Sequence, residues 1–305
     1  MHWWIVVLVL VLSAAAGPAA IRPADSQGNP LGTTTVSAGV TGIHQVAGGL
    51  DAGGDVQWSG LTFHGSVSRQ FVPAFAAGLS LRYDVEDWRI RSAAAFGEPA
   101  PWQHLQRPGA SLNLSLALSR TFLLRVSPTV EWAYDSQAGA SDAFVYGAVV
   151  SAAQVFSPRL VLGAGASMTR QFYSVKTTPF VIVNWQLSNR WRVANAAATG
   201  PLGGAGVELR YAPNANWELA AGGVWRSDRW RIADPGPHAA TVAETSAIPM
   251  LVRVSRKLGP AHRLDLQAGA MTAGRLTLRD DDGHDRMHDG YGPTPAVSAA
   301  WSARF

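Results

Sequence analysis

A chain of 305 residues with 47% hydrophobic and only 15% charged side chains is poorer in charge than the roughly 25% of an ordinary soluble domain. One apolar run approaches bilayer length, Trp3 to Ala16, and it falls short of the ~20 residues a spanning helix needs, which excludes a helical membrane protein. The formal net charge of +4 comes from an Arg-dominated set with Lys at 176 and 257 alone, and the absence of Cys leaves the compartment open.

The chain begins with an apolar core, Ile5 to Leu12, followed by small residues from Ser13 to Ala20 that offer cleavage sites after Ala16, Ala19 or Ala20. This is the layout of an export signal over residues 1–20, with no Lys or Arg ahead of the core. Residues 21–31 then read as a periplasmic N-terminal segment and 32–305 as the folded domain.

From Thr33 onward the pattern is alternation, the period of a strand with one apolar face. Phe75, Ala77, Leu79, Leu81 and Tyr83 alternate with Ser80, Arg82 and Asp84. Leu112, Leu114, Leu116 and Leu118 alternate with small or polar residues, as do Val207, Leu209 and Tyr211 with Glu208 and Arg210, and Leu264, Leu266, Ala268, Ala270 and Thr272 with Arg263, Asp265 and Gln267. Tight connections fall at Val72-Pro73, Arg120-Thr121, Ser157-Pro158, Ser188-Asn189, Pro213-Asn214 and Gly259-Pro260. Longer polar segments surround residues 48–54, 89–103, 137–142, 234–243 and 280–290. Short turns at one end and long loops at the other mark a transmembrane antiparallel β-barrel. Six hairpins, a first strand near Thr33 to Ile43 and a last near Pro295 to Phe305 give an all-β barrel of about 14 strands. Twelve or sixteen stay compatible, because the hairpin over 179–197 alternates poorly and the parity slips between Val85 and Trp88.

The last strand puts Val297, Ala299, Trp301, Ala303 and Phe305 on one face, and a terminal aromatic on such a strand resembles the assembly signal of bacterial outer-membrane proteins. Its expected partner is the barrel-assembly machinery. Trp58, Trp88, Trp102, Trp132, Tyr134, Tyr173, Trp225 and Trp230 lie near loop ends, and Phe71, Phe122, Phe156, Trp191, Trp217 and Phe305 near the turns, as two interfacial girdles would require.

The stretch Asn189-Arg190-Trp191-Arg192, then Thr199-Gly200-Pro201, Gly204, Gly206, Glu208-Leu209, Tyr211, Trp217-Glu218-Leu219, Gly222, Trp225-Arg226 and Arg229-Trp230-Arg231, resembles the core of an uncharacterised family of proteobacterial outer-membrane proteins. Ala196 stands where the family has Pro. The resemblance, over about Asn189 to Gly274, implies a single barrel integral to the cell outer membrane and carries over no catalytic or binding residue.

Strand parity predicts a charged lumen lined by Arg82, Asp84, Glu86, Arg125, Glu131, Glu208, Arg210, Glu218, Arg226, Arg253, Lys257, Arg263, Asp265 and Arg275. Such a lining serves equally as a paired polar interior or as a solute path. A turn centred on Asn214 sets Arg210 opposite Glu218, Leu209 opposite Leu219 and Tyr211 opposite Trp217. A barrel of this size encloses water unless plugged, and residues 21–31 or the loop around Glu98 to Trp102 are the candidate plugs. Arg89, Arg91, Arg226, Arg229 and Arg231 stand among aromatics at the loop side, where guanidinium groups suit the phosphates of lipopolysaccharide. Outer-membrane lipids are therefore expected partners and nucleic acid is not, while nothing in the residues speaks to oligomeric state.

Asp280, Asp281, Asp282, Asp285 and Asp289 cluster oxygen ligands beside the imidazoles of His284 and His288, without the EF-hand order, and a solvated acidic loop is the commoner explanation. No metal or cofactor is assigned. A membrane enzyme would need a Ser and a His together; His104 with Ser111 and His64 with Ser66 could be fitted, but neither sits in a signature, so the chain is read as no enzyme. A channel or transporter for small solutes is the leading expectation, with a structural or surface-interaction barrel as the alternative and a lipid-modifying enzyme behind both.

Overall fold

The computed structural model describes residues 32–96, 100–196, 205–233 and 240–305. The expected leader and N-terminal segment lie outside them, as do Thr199, Gly200, Pro201 and Gly204 of the resemblance. The strands are β1 (Thr34–Gly49), β2 (Asp55–Val72), β3 (Phe75–Arg91), β4 (His104–Ala117), β5 (Phe122–Trp132), β6 (Tyr134–Asp135), β7 (Phe144–Ser157) and β8 (Leu160–Gln171) in the first half. The second half adds β9 (Ser174–Gln186), β10 (Trp191–Asn195), β11 (Ala205–Tyr211), β12 (Trp217–Arg231), β13 (Val242–Lys257), β14 (His262–Arg279), β15 (Asp285–Tyr291) and β16 (Thr294–Arg304). Each long strand pairs antiparallel with its chain neighbours, and β1 pairs β16, so 14 strands close into a barrel with β6 and β15 as short additions.

Pairing of β1 with β16 leaves no terminal strand as a sheet edge, and the alternation read from the sequence then decides what each face meets. Phe63, Leu79, Leu112, Val150, Met168, Val181, Val252, Leu266 and Val297 stand exposed on the outer wall, an apolar belt suited to lipid. At the turn side Phe71, Phe156, Trp191, Trp217 and Phe305 are also exposed and form the expected aromatic band. His262 joins it, stacked on Trp301 with ring centroids 5.7 Å apart. Ser80, Asn113 and Ser127 take the inner face, linked by Asn113 bonds of 2.6 and 3.1 Å.

The six expected tight turns all fall between strands, but one register differs. Tyr211 faces Leu219, Arg210 faces Ala220 and Leu209 faces Ala221, two residues away from the expected Arg210–Glu218 register. The cause is the side chain of Asn214, whose Oδ1 accepts the backbone N–H groups of Asn216 and Trp217 at 3.0 and 3.1 Å. Such an Asx turn bends the chain after the Asn and moves the centre on by one residue. A shift of two preserves parity, so Arg210 and Glu218 stay on the lumen face.

The loop side departs further from a simple cylinder. β6 pairs β4 through Leu105–Asp135 and Gln106–Tyr134, and it pairs β12 in parallel through Tyr134–Arg231. Six strands separate β4 from β12 around the wall. β6 therefore closes a second, smaller ring at the loop end and draws β4 and β12 together across the lumen.

Candidate functional site: a pinched and ion-paired lumen

Inside the smaller ring lies a buried apolar cluster that includes Trp58, Trp88, Phe96, Trp102, Leu105, Trp230, Met271, Leu276, Leu278 and Tyr291. Trp58, Trp88, Trp102 and Trp230 were expected in the outer girdle and are instead interior. Their distance from the loops is as expected; their face is not. The β2–β3 register runs unbroken from Asp55–Arg91 to Gln70–Ala76, so no parity slip occurs at Val85 to Trp88, and Trp88 shares the inner face of Asp84 and Glu86. Trp58 and Trp88 are cross-strand partners, stacked at 5.4 Å, and Trp102 meets Trp88 edge-on at 6.1 Å. Ala93, Phe96 and Trp102, from the described parts of the segment after β3, are buried in this cluster; Glu98 of the candidate plug lies outside the described residues. Asp135 Oδ2 accepts the backbone N–H groups of Gln103 and His104 at 3.1 Å each, which ties that segment to β6.

Charged groups line the constriction beneath this cluster. Arg226 on β12 donates from Nη2 to Glu86 Oε1 on β3 at 2.6 Å and from Nε to Asp228 Oδ2 at 2.8 Å. Arg107 on β4 donates to Asp228 Oδ1 at 2.7 Å and lies 3.9 Å from Glu131. Both guanidinium groups rest on indole faces, Arg226 at 4.3 Å from the Trp58 centroid and Arg107 at 4.1 Å from that of Trp230. Glu86 is held from the side by Trp88 Nε1 at 2.9 Å. Asp84 accepts Thr62 Oγ1 at 2.6 Å and Arg82 Nε at 2.8 Å. The pair Arg226–Glu86 joins strands six steps apart by the shorter way round the 14-strand ring.

A second network lines the wall of β11 to β14 without crossing the lumen. Arg253 Nη2 donates to Glu208 Oε1 at 2.5 Å and lies 3.1 Å from Glu218, and its Nη1 donates to Asp265 at 3.2 Å. Arg263 bonds Glu218 at 3.0 Å and Asp265 at 2.9 Å. Arg210 Nε lies 2.6 Å from Glu208 rather than on Glu218. Arg125 takes the inner-face row of Ser115 and Ser151. Lys257, opposite Arg263, is exposed at the turn end.

Arg275 was expected in the lumen and stands on the outer face. A bulge at Ala273, whose φ of 50° is left-handed, changes the β13–β14 register, and beyond it Leu276 and Leu278 turn inward while Arg275 turns out. Arg107 and Asp228 were missed as lumen residues; the inner parity of Ser111 and Asn113, extended past Pro108, gives the first, and that of Arg226 gives the second. Lys176, Arg279 and Glu244 were not singled out by the sequence, and Arg229 was expected only among the loop-side arginines; on β12 and β13, Arg229 and Glu244 take the face opposite Trp230 and Ala243. Lys176 Nζ donates to Ser227 Oγ at 2.6 Å and Glu244 Oε1 at 3.3 Å, and Arg229 Nε to Glu244 Oε2 at 3.0 Å. Those bonds fasten β9 to the loop-side part of β12 and β13, a contact no local pattern announces.

Of the other candidates, His104 and Ser111 separate, while His64 and Ser66 share one face of β2. His104 pairs with Asp87 on the outer face, whereas Ser111 lies inward beside Ser80; Ser66 bonds Ser37 at 3.4 Å. The acidic loop brings Asp280, Asp282 and His284 within 4.8 Å of one another. Asp280 there accepts the backbone N–H groups of Asp282 and His284 and pairs with Arg286 at 2.7 Å, the work of a loop staple. Val297, Trp301 and Phe305 are exposed on the outer face as the last-strand pattern requires.

No protein-family model and no curated protein sequence matches the chain. Solved structures give remote likenesses across nearly the whole length. An outer membrane channel from Pseudomonas putida F1 is 11% identical, with a TM-score of 0.47, over 93% of this chain and 99% of the other. The toluene transporter TodX from P. putida is 11% identical at TM-score 0.41 over 90% of each chain. The KdgM porin in complex with disordered oligogalacturonate is 7% identical at TM-score 0.36, over 88% of this chain and 99% of the porin. These neighbours are outer-membrane β-barrels, and likenesses this remote carry nothing about what the present chain does.

Proposed function

We propose that the chain is an integral outer-membrane barrel that passes a small solute through a gated lumen, held closed here by the pinched ring. The apolar belt and the closed sheet support the location, and membership of the family that Asn189 to Gly274 resembles belongs to the same reading. The observation that carries the gate is the Arg226–Glu86 bond of 2.6 Å between strands on opposite sides of the ring. A barrel of 14 strands is wider than the eight-stranded kind that side chains fill unaided, so a direct bond across it requires the wall itself to be drawn in.

Long side chains paired across a lumen are a reversible closure, because the same groups are satisfied by water or solute once they part. Single-channel recordings in planar bilayers test this. Wild type is expected to open rarely, and Glu86→Gln combined with Asp228→Asn to show discrete steps at a frequency at least tenfold higher. Silence of both, with each protein folded as judged by its altered mobility before boiling, would refute the channel and favour a structural barrel.

A further inference from the structure

We propose that the solute admitted by this constriction is an organic cation of guanidinium or ammonium type, and that Arg226 and Arg107 occupy its site while the barrel is closed. The proposal rests on the channel reading and names the solute class for the same site.

Each arginine has the surroundings of a bound cation. Arg226 lies on the Trp58 face between Glu86 and Asp228; Arg107 lies on the Trp230 face between Asp228 and Glu131. Two indole faces, each backed by carboxylates, form a receptor for a delocalised or alkylated cation. The balance of charge has the same sign. Arg82, Arg107 and Arg226 stand against Asp84, Glu86, Glu131 and Asp228, three positive charges against four negative, so the cluster carries one negative charge in excess. An anionic solute would meet the electron-rich faces of Trp58 and Trp230 and would compete with four carboxylates for three guanidinium groups.

The anchoring shows which partner moves. Glu86 is fixed by Trp88 Nε1 at 2.9 Å, whereas Arg226 reaches it on a long flexible stem from the opposite wall. Arg226 also holds Asp228 two residues along its own strand. A cation arriving at Glu86 and Trp58 therefore replaces only the cross-lumen half of the Arg226 contacts, and Arg226 swings back with Asp228 still bound. Solute binding and release of the closure are then one exchange.

The test uses the full folded protein with agmatine, a guanidine bearing a terminal amine, and with succinate as the anionic control. Tryptophan fluorescence is expected to titrate with agmatine and not with succinate. Arg226→Ala, which vacates the cage, should bind agmatine at least tenfold more tightly than wild type, and Glu86→Gln at least tenfold more weakly. In bilayers agmatine should raise the opening frequency of wild type. Equal agmatine affinity in wild type and Arg226→Ala, or a response to succinate alone, would overturn the cation assignment even if the charge-neutralised variants conduct. Absence of current from every variant, whatever the fluorescence reports, would overturn the channel reading itself.

Discussion

At the residue scale, the charges of this barrel divide by what surrounds them. Removing one partner of a buried pair leaves the other uncompensated at a cost of about 3–5 kcal/mol, which is why Arg226 keeps two acids and an indole rather than one contact. Exposed pairs behave otherwise. Hydrogen bonds from Arg231 and Thr241 hold the Asp281 carboxyl below the ordinary carboxylate range. Since its folded value is depressed, the associated stabilisation is complete above the unfolded value of about 3.9 and is lost as pH falls through the lowered one. The Asp281 side chain is 67% exposed, so solvent screening limits the effect to about 0.2–1 kcal/mol. Thermal unfolding should show Asp281→Asn less stable than wild type at pH 7, with the gap closing below about pH 4; a gap independent of pH would remove the ionised carboxyl from the explanation.

At the element scale, register is the testable quantity. The Asx turn at Asn214 predicts that Cys introduced in place of Tyr211 and Leu219 cross-link readily in an otherwise Cys-free chain, and that Cys in place of Leu209 and Leu219 do not. Efficient cross-linking of the second pair alone would restore the turn centred on Asn214. Much of the barrel was legible at this scale because lipid outside and polar lumen inside impose period two on every strand. Leu112 to Leu118 state their face outright. The reading failed where the inside is itself apolar: Trp58, Trp88 and Trp230 look like girdle residues by position and like lipid-facing residues by type. It failed again at Ala273, since one residue at φ 50° reverses all later parity and Ala gives no sign of it.

At the scale of the whole molecule, the decisive feature is a pairing between segments far apart in sequence. Gln106, Tyr134 and Arg231 carry no mark that β4, β6 and β12 will meet, and the cross-lumen contacts of Arg107 and Arg226 follow only once they do. The lumen charges could be named from parity, but not which of them touch. The pinch is tested most directly by Cys in place of Tyr134 and Arg231, which are bridge partners here although six strands lie between β4 and β12 around the wall. In assembled protein this pair is predicted to cross-link spontaneously, to an extent comparable with the Tyr211 and Leu219 wall pair. Efficient cross-linking of the wall pair with none between residues 134 and 231 would mean an open cylinder and contradict the account.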